Sequence, residues 1–166
     1  MNNVILFGLK NAGKTTLGKK IALLQNKQFI DTDALIEKIF AKENLYVMTC
    51  RNIYRIFGKH YFENIEQKAI AELIKNPPNN SVIALGGSSL LKERNRKILT
   101  TGKPVYLKIT FFEFFRRALK NPPVFIDINK PLIEIFFLLK KFFEERNDVY
   151  SRLVTKFLPD IDIRQH

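Results

Sequence analysis

The sequence has little cysteine and no tryptophan: among its 166 residues, Cys50 carries the one thiol. A single cysteine excludes a disulfide scaffold within the chain and is typical of a protein in a reducing compartment. The first apolar run, residues 4–7, ends at a glycine, and it is too short for the hydrophobic segment of a signal peptide. We therefore expect a cytoplasmic protein, in which Cys50 is an inert, partly buried thiol.

Long hydrophobic runs are also missing. The most apolar stretch, residues 131–143, contains Glu134, Lys140 and Lys141, so it is too short and too charged to span a bilayer. We expect no membrane partner. The same stretch is apolar around most of a helix, which leaves a contact between subunits open, although we expect a monomer.

Acidic residues are few: 16 stand against 28 basic ones, and the formal net charge is +12. Such a charge attracts nucleic acids, nucleotides and phosphorylated metabolites alike. The lysines are scattered, however, and the sequence has neither a long run of like charge nor an RNA-recognition or zinc-binding spacing. A nucleic-acid partner is therefore disfavoured.

Short β-rich segments alternate with helical patterns along the chain, which predicts a parallel α/β sheet in a single domain over residues 1–166. The run 81–85 is apolar throughout, as expected of a strand that is buried on both faces. In the first helix Leu17, Ile21 and Leu24 fall on one face. Strands are predicted at 3–7, 27–30, 81–85, 104–109 and 158–163, and helices at 14–24, after Asp31, and at 51–57, 61–75, 92–99, 111–119 and 132–155.

Residues 8–15, Gly-Leu-Lys-Asn-Ala-Gly-Lys-Thr, form a complete G-x-x-x-x-G-K-T phosphate-binding motif between a strand and a helix. Its glycines allow a tight turn whose backbone N–H groups face phosphate oxygens, and the helix N-terminus adds a positive dipole end. Lys14 can bridge the β- and γ-phosphates of ATP, and the Thr15 hydroxyl can bind Mg²⁺. The predicted nucleotide-binding residues are Gly8, Asn11, Ala12, Gly13, Lys14, Thr15 and Thr16.

The absence of a guanine-recognition motif and the small size of the chain indicate which class of nucleotide-binding enzyme to expect. No N-K-x-D guanine-recognition motif is present, which disfavours a GTPase, and the chain is too small for a motor. A small-molecule kinase is favoured.

Two carboxylates, Asp31 and Asp33, stand at the end of the second predicted strand. In a parallel sheet that end faces the same crevice as the phosphate loop, and alternate residues of an extended chain share a face. One carboxylate can hold a metal-bound water, and the other can orient a substrate hydroxyl or accept its proton. We therefore predict both as catalytic, with Asp31 at the metal. The alternative is that Asp33 caps the following helix.

A second glycine turn, Gly86-Gly87, follows the buried strand, and two serines come after it. Glycines at the carboxyl end of a strand let a ligand approach backbone N–H groups closely. Taken alone, this signal is weak, but it gains weight from the other two motifs.

In this order and spacing, the three motifs resemble those of shikimate kinases. The similarity continues in residues 53–66, which resemble the family's I-x-x-I-F…G-E-x-x-F-R-x-x-E segment, in the strand 105–108 followed by Arg116-Arg117, and in the run 146–150, which resembles R-x-P-x-Y. The resemblance implies a three-layer α/β/α sandwich of the nucleoside-monophosphate-kinase type. A substrate-binding helical part at about 32–75 and a lid at about 118–130 would belong to the same domain.

The resemblance also implies an activity: phosphorylation of the 3-hydroxyl of shikimate by ATP, in aromatic amino acid biosynthesis. Thr15 and Asp31 would bind magnesium, and Arg117 would lie near the nucleotide. Arg146 would pair with the shikimate carboxylate, because a guanidinium can bind it in bidentate fashion. The implied substrate-binding residues are Asp33, Gly86, Gly87 and Arg146.

Two departures from the family pattern bear on substrate binding and catalysis. Glu63 stands where an arginine should hold the substrate carboxylate, and we consider Arg55 or Lys59 as compensating cations. The lid sequence at 122–125, Pro-Pro-Val-Phe, lacks the family's arginine, and Lys120 or Lys130 are the candidate substitutes. Two alternatives therefore stay open: a kinase for another hydroxylated metabolite, and a nucleotide-binding homologue without catalysis.

Overall fold

The computed structural model describes residues 2–157, and the strand predicted at 158–163 lies outside them. The sheet has four parallel strands in the order β2-β3-β1-β4. The strands are β1 (Val4–Phe7), β2 (Gln28–Asp31), β3 (Ser81–Ala84) and β4 (Lys103–Tyr106). The helices are α1 (Lys14–Leu24), α2 (Thr32–Asn44), α3 (Cys50–Lys75), α4 (Phe111–Lys120) and α5 (Leu132–Phe157).

Both faces of the sheet are covered, which confirms the predicted three-layer sandwich. Alternate residues of β1 enter different clusters: Ile5 and Phe7 pack with α4 and α5, whereas Leu6 packs with Ala22 of α1. Strand β3 is buried along its whole length, as its apolar sequence predicts. Because β1 and β3 are neighbours, the loops at their carboxyl ends meet at one edge of the sheet.

Helix α1 does not bury the face that the sequence predicted, which carries Leu17, Ile21 and Leu24. Lys14, Gly18 and Ala22 are its buried residues, whereas Leu24 is 81% exposed. A Cβ on Gly18 would lie 2.5 Å from the Phe29 ring. Small residues thus let α1 lie close against the sheet, and this close packing outweighs the hydrophobic pattern.

The helical part that carries the substrate-side residues has its own small core, which Ile36 and Phe40 of α2 form with Ile53, Ile65 and Ala69 of α3. The two helices predicted on either side of Gly58 form one element with a break at that glycine, where φ is 81° and ψ is 174°. The helix predicted at 92–99 is instead a 3₁₀ segment, Glu93–Thr101, which follows a 3₁₀ turn at Ser89–Leu91.

Within residues 2–157, none of the helices has the length and hydropathy that a bilayer span requires.

Candidate active site

The phosphate loop has the backbone conformation that its glycines predict. Gly8, Asn11 and Gly13 all have positive φ, at 145°, 65° and 95°. At Gly8 a Cβ would also lie 2.5 Å from the carbonyl oxygen of Leu107. Both the positive φ and the lack of space therefore require glycine at this position. The turn therefore depends on its sequence at these points and leads directly into the N-terminus of α1.

Lys14 is folded under the loop. Its ammonium group donates hydrogen bonds to the carbonyl oxygens of Gly8, at 2.9 Å, and of Leu9, at 2.7 Å, and the residue is only 8% exposed. Burial lowers the pKa of Lys14 to about 8, although the nearby carboxylates of Asp33 and Asp31 oppose the shift. A cation that has lost much of its hydration interacts strongly with an incoming phosphate.

Asp31 connects the loop to the second strand. Its Oδ2 accepts a hydrogen bond from the Thr15 hydroxyl at 2.8 Å, and its Oδ1 accepts one from the backbone N–H of Asp33 at 3.0 Å. Asp31, and not Asp33, therefore caps α2, which overturns the alternative role for Asp33. The hydroxyl and the carboxylate are hard oxygen donors of the kind that Mg²⁺ prefers.

Asp33 is free of the capping role and points into the cavity beside the loop. Its carboxyl is reached by solvent through that cavity, yet protein surrounds it on several sides. Desolvation and the charge of Asp31 raise the pKa of Asp33, while Lys14 and Lys10 oppose the rise. A carboxylate with raised basicity that faces open space is suited to accept a hydrogen bond from a hydroxyl group.

The second glycine turn is held in place from both sides. The N–H of Gly86 donates to Thr32 Oγ1 at 2.9 Å, and the Tyr150 hydroxyl donates to the carbonyl oxygen of Gly87 at 2.7 Å. A Cβ on Gly86 would lie 3.2 Å from both Asp33 Oδ1 and Glu66 Oε1. The turn thus runs along the wall of the same cavity, and its α-carbons allow close approach.

The cavity, of about 380 Å³, brings all four predicted substrate-binding residues together. Its volume suits a small polyhydroxylated molecule. The lining includes Asp33, Gly86, Gly87 and Arg146, together with Lys10, Cys50, Arg51, Glu63, Glu66 and Lys92. Cys50 donates its S–H to the carbonyl oxygen of Asp33 at 3.3 Å, and burial raises the pKa of the thiol, which agrees with an inert side chain.

Arg146 extends from α5 across the cavity wall. Its guanidinium carbon lies 3.4 Å from the centroid of the Phe142 ring, and its Nε donates to Ser88 Oγ at 3.4 Å. Desolvation lowers the pKa of Arg146, but a guanidinium remains charged at neutral pH. Its Nη1 donates to the carbonyl oxygen of Phe142 at 3.3 Å and lies 3.7 Å from the exposed carboxylate of Glu145, whereas Nη2 has no partner among residues 2–157.

Glu63 does not face the cavity as an isolated charge. Its Oε2 lies 2.9 Å from Lys92 Nζ, and its Oε1 lies 3.9 Å from Lys59 Nζ. Of the two cations expected to compensate for Glu63, Lys59 lies beside it, whereas Arg55 is exposed and outside the cavity lining. The closer partner, Lys92, was not predicted. No sequence signal marks Lys92, because it reaches Glu63 only through the packing of the segment after β3 against α3.

Glu66 is a buried carboxyl in the same wall. It is 5% exposed and accepts a hydrogen bond from the Ser89 hydroxyl at 2.7 Å, as expected of a structural side chain. Burial raises the pKa of Glu66 to about 7, against the opposing effect of that hydrogen bond.

On the nucleotide side, Arg117 lies over the loop. Its Nη1 donates to the carbonyl oxygen of Asn11 at 2.8 Å, and its Nη2 pairs with Glu113. Ala12 is partly buried in the same turn, and Thr16 is exposed at the start of α1. All the residues predicted to bind nucleotide therefore surround one turn of backbone.

The lid lacks the two cations considered for it. Lys120 and Lys130 are both exposed and outside the cavity lining, and Lys130 pairs with Glu134 at 3.2 Å. Pro123, Val124 and Phe125 do line the cavity. A cation that the sequence pattern does not mark, Arg51 of the first turn of α3, donates a hydrogen bond to the carbonyl oxygen of Pro122 in this segment.

Comparisons with known proteins agree on one family. The family model described as Shikimate kinase matches residues 10–162. A shikimate kinase of Clostridium botulinum is 31% identical over 158 residues, which cover 93% of this chain and 86% of that protein. One of Chromobacterium violaceum is 34% identical over 155 residues, which cover 91% of this chain and 77% of that protein.

Solved structures give the same result. The shikimate kinase from Acinetobacter baumannii in complex with shikimate matches with a TM-score of 0.75 at 25% identity, covering 92% of this chain and 80% of that one. The shikimate kinase from Bacteroides thetaiotaomicron matches with a TM-score of 0.72 at 28% identity, covering 91% and 82%.

Proposed function

The chain belongs to the shikimate kinase family, and from this premise we propose that it transfers the γ-phosphoryl group of ATP to the 3-hydroxyl of shikimate, in aromatic amino acid biosynthesis. One observation carries the proposal for this chain's own residues. A single cavity joins the phosphate loop, through Lys10, to the carboxylate of Asp33 and the guanidinium of Arg146. An anionic substrate with a reactive hydroxyl needs these groups together.

The nucleotide side of the proposal rests on the loop. Its backbone N–H groups and the N-terminus of α1 would surround the β- and γ-phosphates, and the Lys14 ammonium would neutralise their charge. Arg117, whose Nη1 donates to the carbonyl oxygen of Asn11 at 2.8 Å, would contact the nucleotide from the side of α4.

Magnesium fits the donors that are present. The Thr15 hydroxyl and the Asp31 carboxylate, 2.8 Å apart, are the protein groups that would hold it. Within residues 2–157 no group of three or more acidic, histidine or cysteine side chains gathers as a metal cage, and Mg²⁺ typically takes few protein ligands and completes its shell with water and phosphate. When bound, Mg²⁺ would neutralise charge on the phosphates.

The substrate side rests on Asp33 and Arg146. Arg146 would bind the carboxylate, because it keeps free N–H donors while Phe142 and Ser88 fix its plane. Asp33 would accept the hydrogen bond of the 3-hydroxyl and take its proton as the oxygen–phosphorus bond forms. The bond between the γ-phosphorus and the β,γ-bridging oxygen breaks, and ADP leaves with that oxygen.

Glu63 supports a second candidate, a kinase for another hydroxylated metabolite. A carboxylate in the wall disfavours a second carboxylate unless cations accompany it, and Lys92 and Lys59 supply such cations here. Shikimate therefore remains the preferred substrate, and a substrate without a carboxylate is the competing one.

The test is a coupled assay of ADP formation with ATP, Mg²⁺ and shikimate, with the product identified by ³¹P NMR. We expect shikimate-dependent turnover that EDTA abolishes. Asp33→Asn should lower kcat by about a hundredfold or more and leave ADP binding intact, whereas the exposed Asp148→Asn should behave as the wild type. Turnover of sugar acids or polyols, but not of shikimate, would favour the second candidate. ATP binding without any product would indicate a homologue without catalysis.

We also propose that the enzyme acts in the cytoplasm, where its ATP is available, and as a monomer.

A further inference from the structure

Arg51 joins the start of α3 to the lid. Its Nη2 donates to the carbonyl oxygen of Pro122 at 2.7 Å and to Asn121 Oδ1 at 3.1 Å, and the side chain lines the cavity. These bonds use the two hydrogens of Nη2. The Nε and Nη1 donors have no hydrogen-bond partner among residues 2–157, so the guanidinium keeps free N–H groups on either side of Nη2.

The position of Arg51 is fixed relative to the phosphate loop by Asn121. Asn11, inside the loop, donates from Nδ2 to the carbonyl oxygen of Asn121 at 3.1 Å, and the two side chains also meet at 3.4 Å. Arg51 therefore stands one residue away from the turn that would hold the γ-phosphate. Arg51 lines the cavity, whereas Lys14 lies beneath the loop, bonded to the Gly8 carbonyl oxygen.

A second cation accompanies it. Lys10 lines the same cavity; burial and the charge of Arg51 lower its pKa, while the charge of Asp33 opposes the shift. Among the residues that the structure describes, neither has a carboxylate within 4.0 Å, whereas Lys59 and Lys92 are paired with Glu63. Two cations that line one cavity, neither of them in an ion pair within residues 2–157, favour the binding of an anion there.

We propose that Arg51 is a catalytic residue that donates from one of these free N–H groups to a non-bridging oxygen of the phosphoryl group during its transfer, with Lys10 adding a second positive charge. This inference rests on the proposed function. Charge builds up on those oxygens in the transition state, and a preorganised guanidinium stabilises it more than it stabilises the ground state. Helix α3 would thus supply the arginine that the lid sequence lacks.

The experiment compares Arg51→Met, Arg51→Lys and Arg51→Ala with Arg55→Met, an exposed arginine one turn further along α3. We expect kcat of Arg51→Met to fall by about a hundred- to a thousandfold, with KM for ATP and for shikimate changed less than about threefold. Arg51→Lys should fall less, and guanidinium ion should restore part of the activity of Arg51→Ala. Arg55→Met should match the wild type.

Two further measurements separate catalysis from a structural role. The complex with ADP, aluminium fluoride and shikimate should lose affinity in Arg51→Met about as much as kcat falls, while ADP alone binds normally. Asn121→Ala removes the Oδ1 partner of Arg51. The bond from Arg51 to the Pro122 carbonyl oxygen and the bond from Asn11 to the Asn121 backbone carbonyl remain, so the guanidinium stays in place and most of kcat should be retained. A loss in Asn121→Ala equal to that in Arg51→Met would show a latch and overturn the proposal.

The remaining outcomes are also decisive. If Arg51→Met keeps kcat, or only raises KM for shikimate, the inference is wrong while the proposed function stands. If the wild type does not phosphorylate shikimate, the proposed function fails and the inference fails with it. Should Arg51→Met unfold, as circular dichroism would show, guanidinium rescue of Arg51→Ala and the Arg51→Lys rate decide instead.

Discussion

Gly87 packs directly against the backbone of Lys10. A Cβ at position 87 would lie 2.5 Å from the amide nitrogen of Lys10 and 2.8 Å from its Cα, distances that real Cβ atoms do not reach. The turn at the end of β3 and the phosphate loop at the end of β1 therefore touch through backbone alone. This contact sets the separation between the substrate side and the nucleotide side of the cavity.

Replacing Gly87 with alanine should push the phosphate loop away from the turn. We expect Gly87→Ala to lower kcat/KM for ATP by about tenfold or more, because small displacements of a positioning loop are costly to a transfer reaction. The added Cβ of Gly86→Ala would instead lie 2.9 Å from Ser89 Oγ and 3.2 Å from the carboxylate oxygens of Asp33 and Glu66, and should raise KM for shikimate in particular. Steady-state kinetics with each substrate varied in turn separates the two effects.

The control for these alanines is Gly58→Ala. Gly58 has a φ of 81° and nothing within 4 Å of its added Cβ, so its alanine variant should lose stability and leave both KM values unchanged. Equal kinetic effects from Gly86→Ala and Gly87→Ala would contradict the division of the turn into two sides.

Removing the charge of Glu63 should improve the binding of an anionic substrate. In Glu63→Gln, Lys92 and Lys59 lose a carboxylate partner and the cavity gains one net positive charge. We expect KM for shikimate to fall by about threefold, the scale of a partly exposed ion pair, and KM for ATP to stay constant. Lys92→Met should raise KM for shikimate.

The matched control is Glu43→Gln, which breaks the Lys68–Glu43 pair of 2.7 Å outside the cavity and should change neither constant. A higher KM for shikimate in Glu63→Gln would mean that the ion pair orders the cavity wall, and the electrostatic explanation would then be wrong.

The sequence predicted the sites that depend on local backbone. A phosphate loop needs its glycines and lysine at fixed spacing, and an aspartate at the end of β2 must face the same crevice because the sheet is parallel. Arg51 and Lys92 escaped prediction because their partners, Pro122 and Glu63, are remote in sequence. Such contacts arise only when α3 and the loops around it pack together.

Helix packing escaped prediction for a related reason. The leucines of α1 suggested one buried face, but Gly18 permits an approach to Phe29 that no larger residue would allow. Close backbone packing is a property of the pair of elements, and hydrophobic periodicity in one of them does not reveal it.

Nucleotide binding should become weaker in alkaline solution because of Lys14. Its pKa of about 8 means that the free enzyme loses this charge as the pH rises, whereas a bound phosphate restores it. Between about pH 7 and about pH 9, ADP binding should therefore take up an increasing fraction of one proton, and its affinity should fall by up to about tenfold per pH unit above the pKa.

Calorimetry in buffers of different ionisation enthalpy measures this proton uptake. Lys14→Met should bind ADP weakly and without a comparable uptake of protons. Uptake that persists unchanged in Lys14→Met would assign the titration to another group, with Lys10 as the first to examine because burial also lowers its pKa.

Replacing Glu66 should change how stability depends on pH. The folded pKa of about 7 lies above the value of about 4.3 in an unfolded chain, so the folded state retains a proton that the unfolded state releases in that window. The free energy of unfolding of the wild type should therefore fall as the pH rises from about 4.5 to 7, by up to about 1.4 kcal/mol per unit from this one group. The glutamine in Glu66→Gln does not titrate, so this variant should not show that decrease in the free energy of unfolding.

Urea denaturation at several pH values tests the difference between the two proteins, from which the other titrating groups cancel. Glu66→Gln should be more stable than the wild type by on the order of 1–3 kcal/mol above pH 7, and the gap should close near pH 4.5, because a protonated glutamate and a glutamine can each accept the Ser89 hydrogen bond. The exposed Glu93→Gln should follow the wild type throughout. A constant gap at all pH values would mean that packing around Ser89, and not the proton on Glu66, accounts for the change.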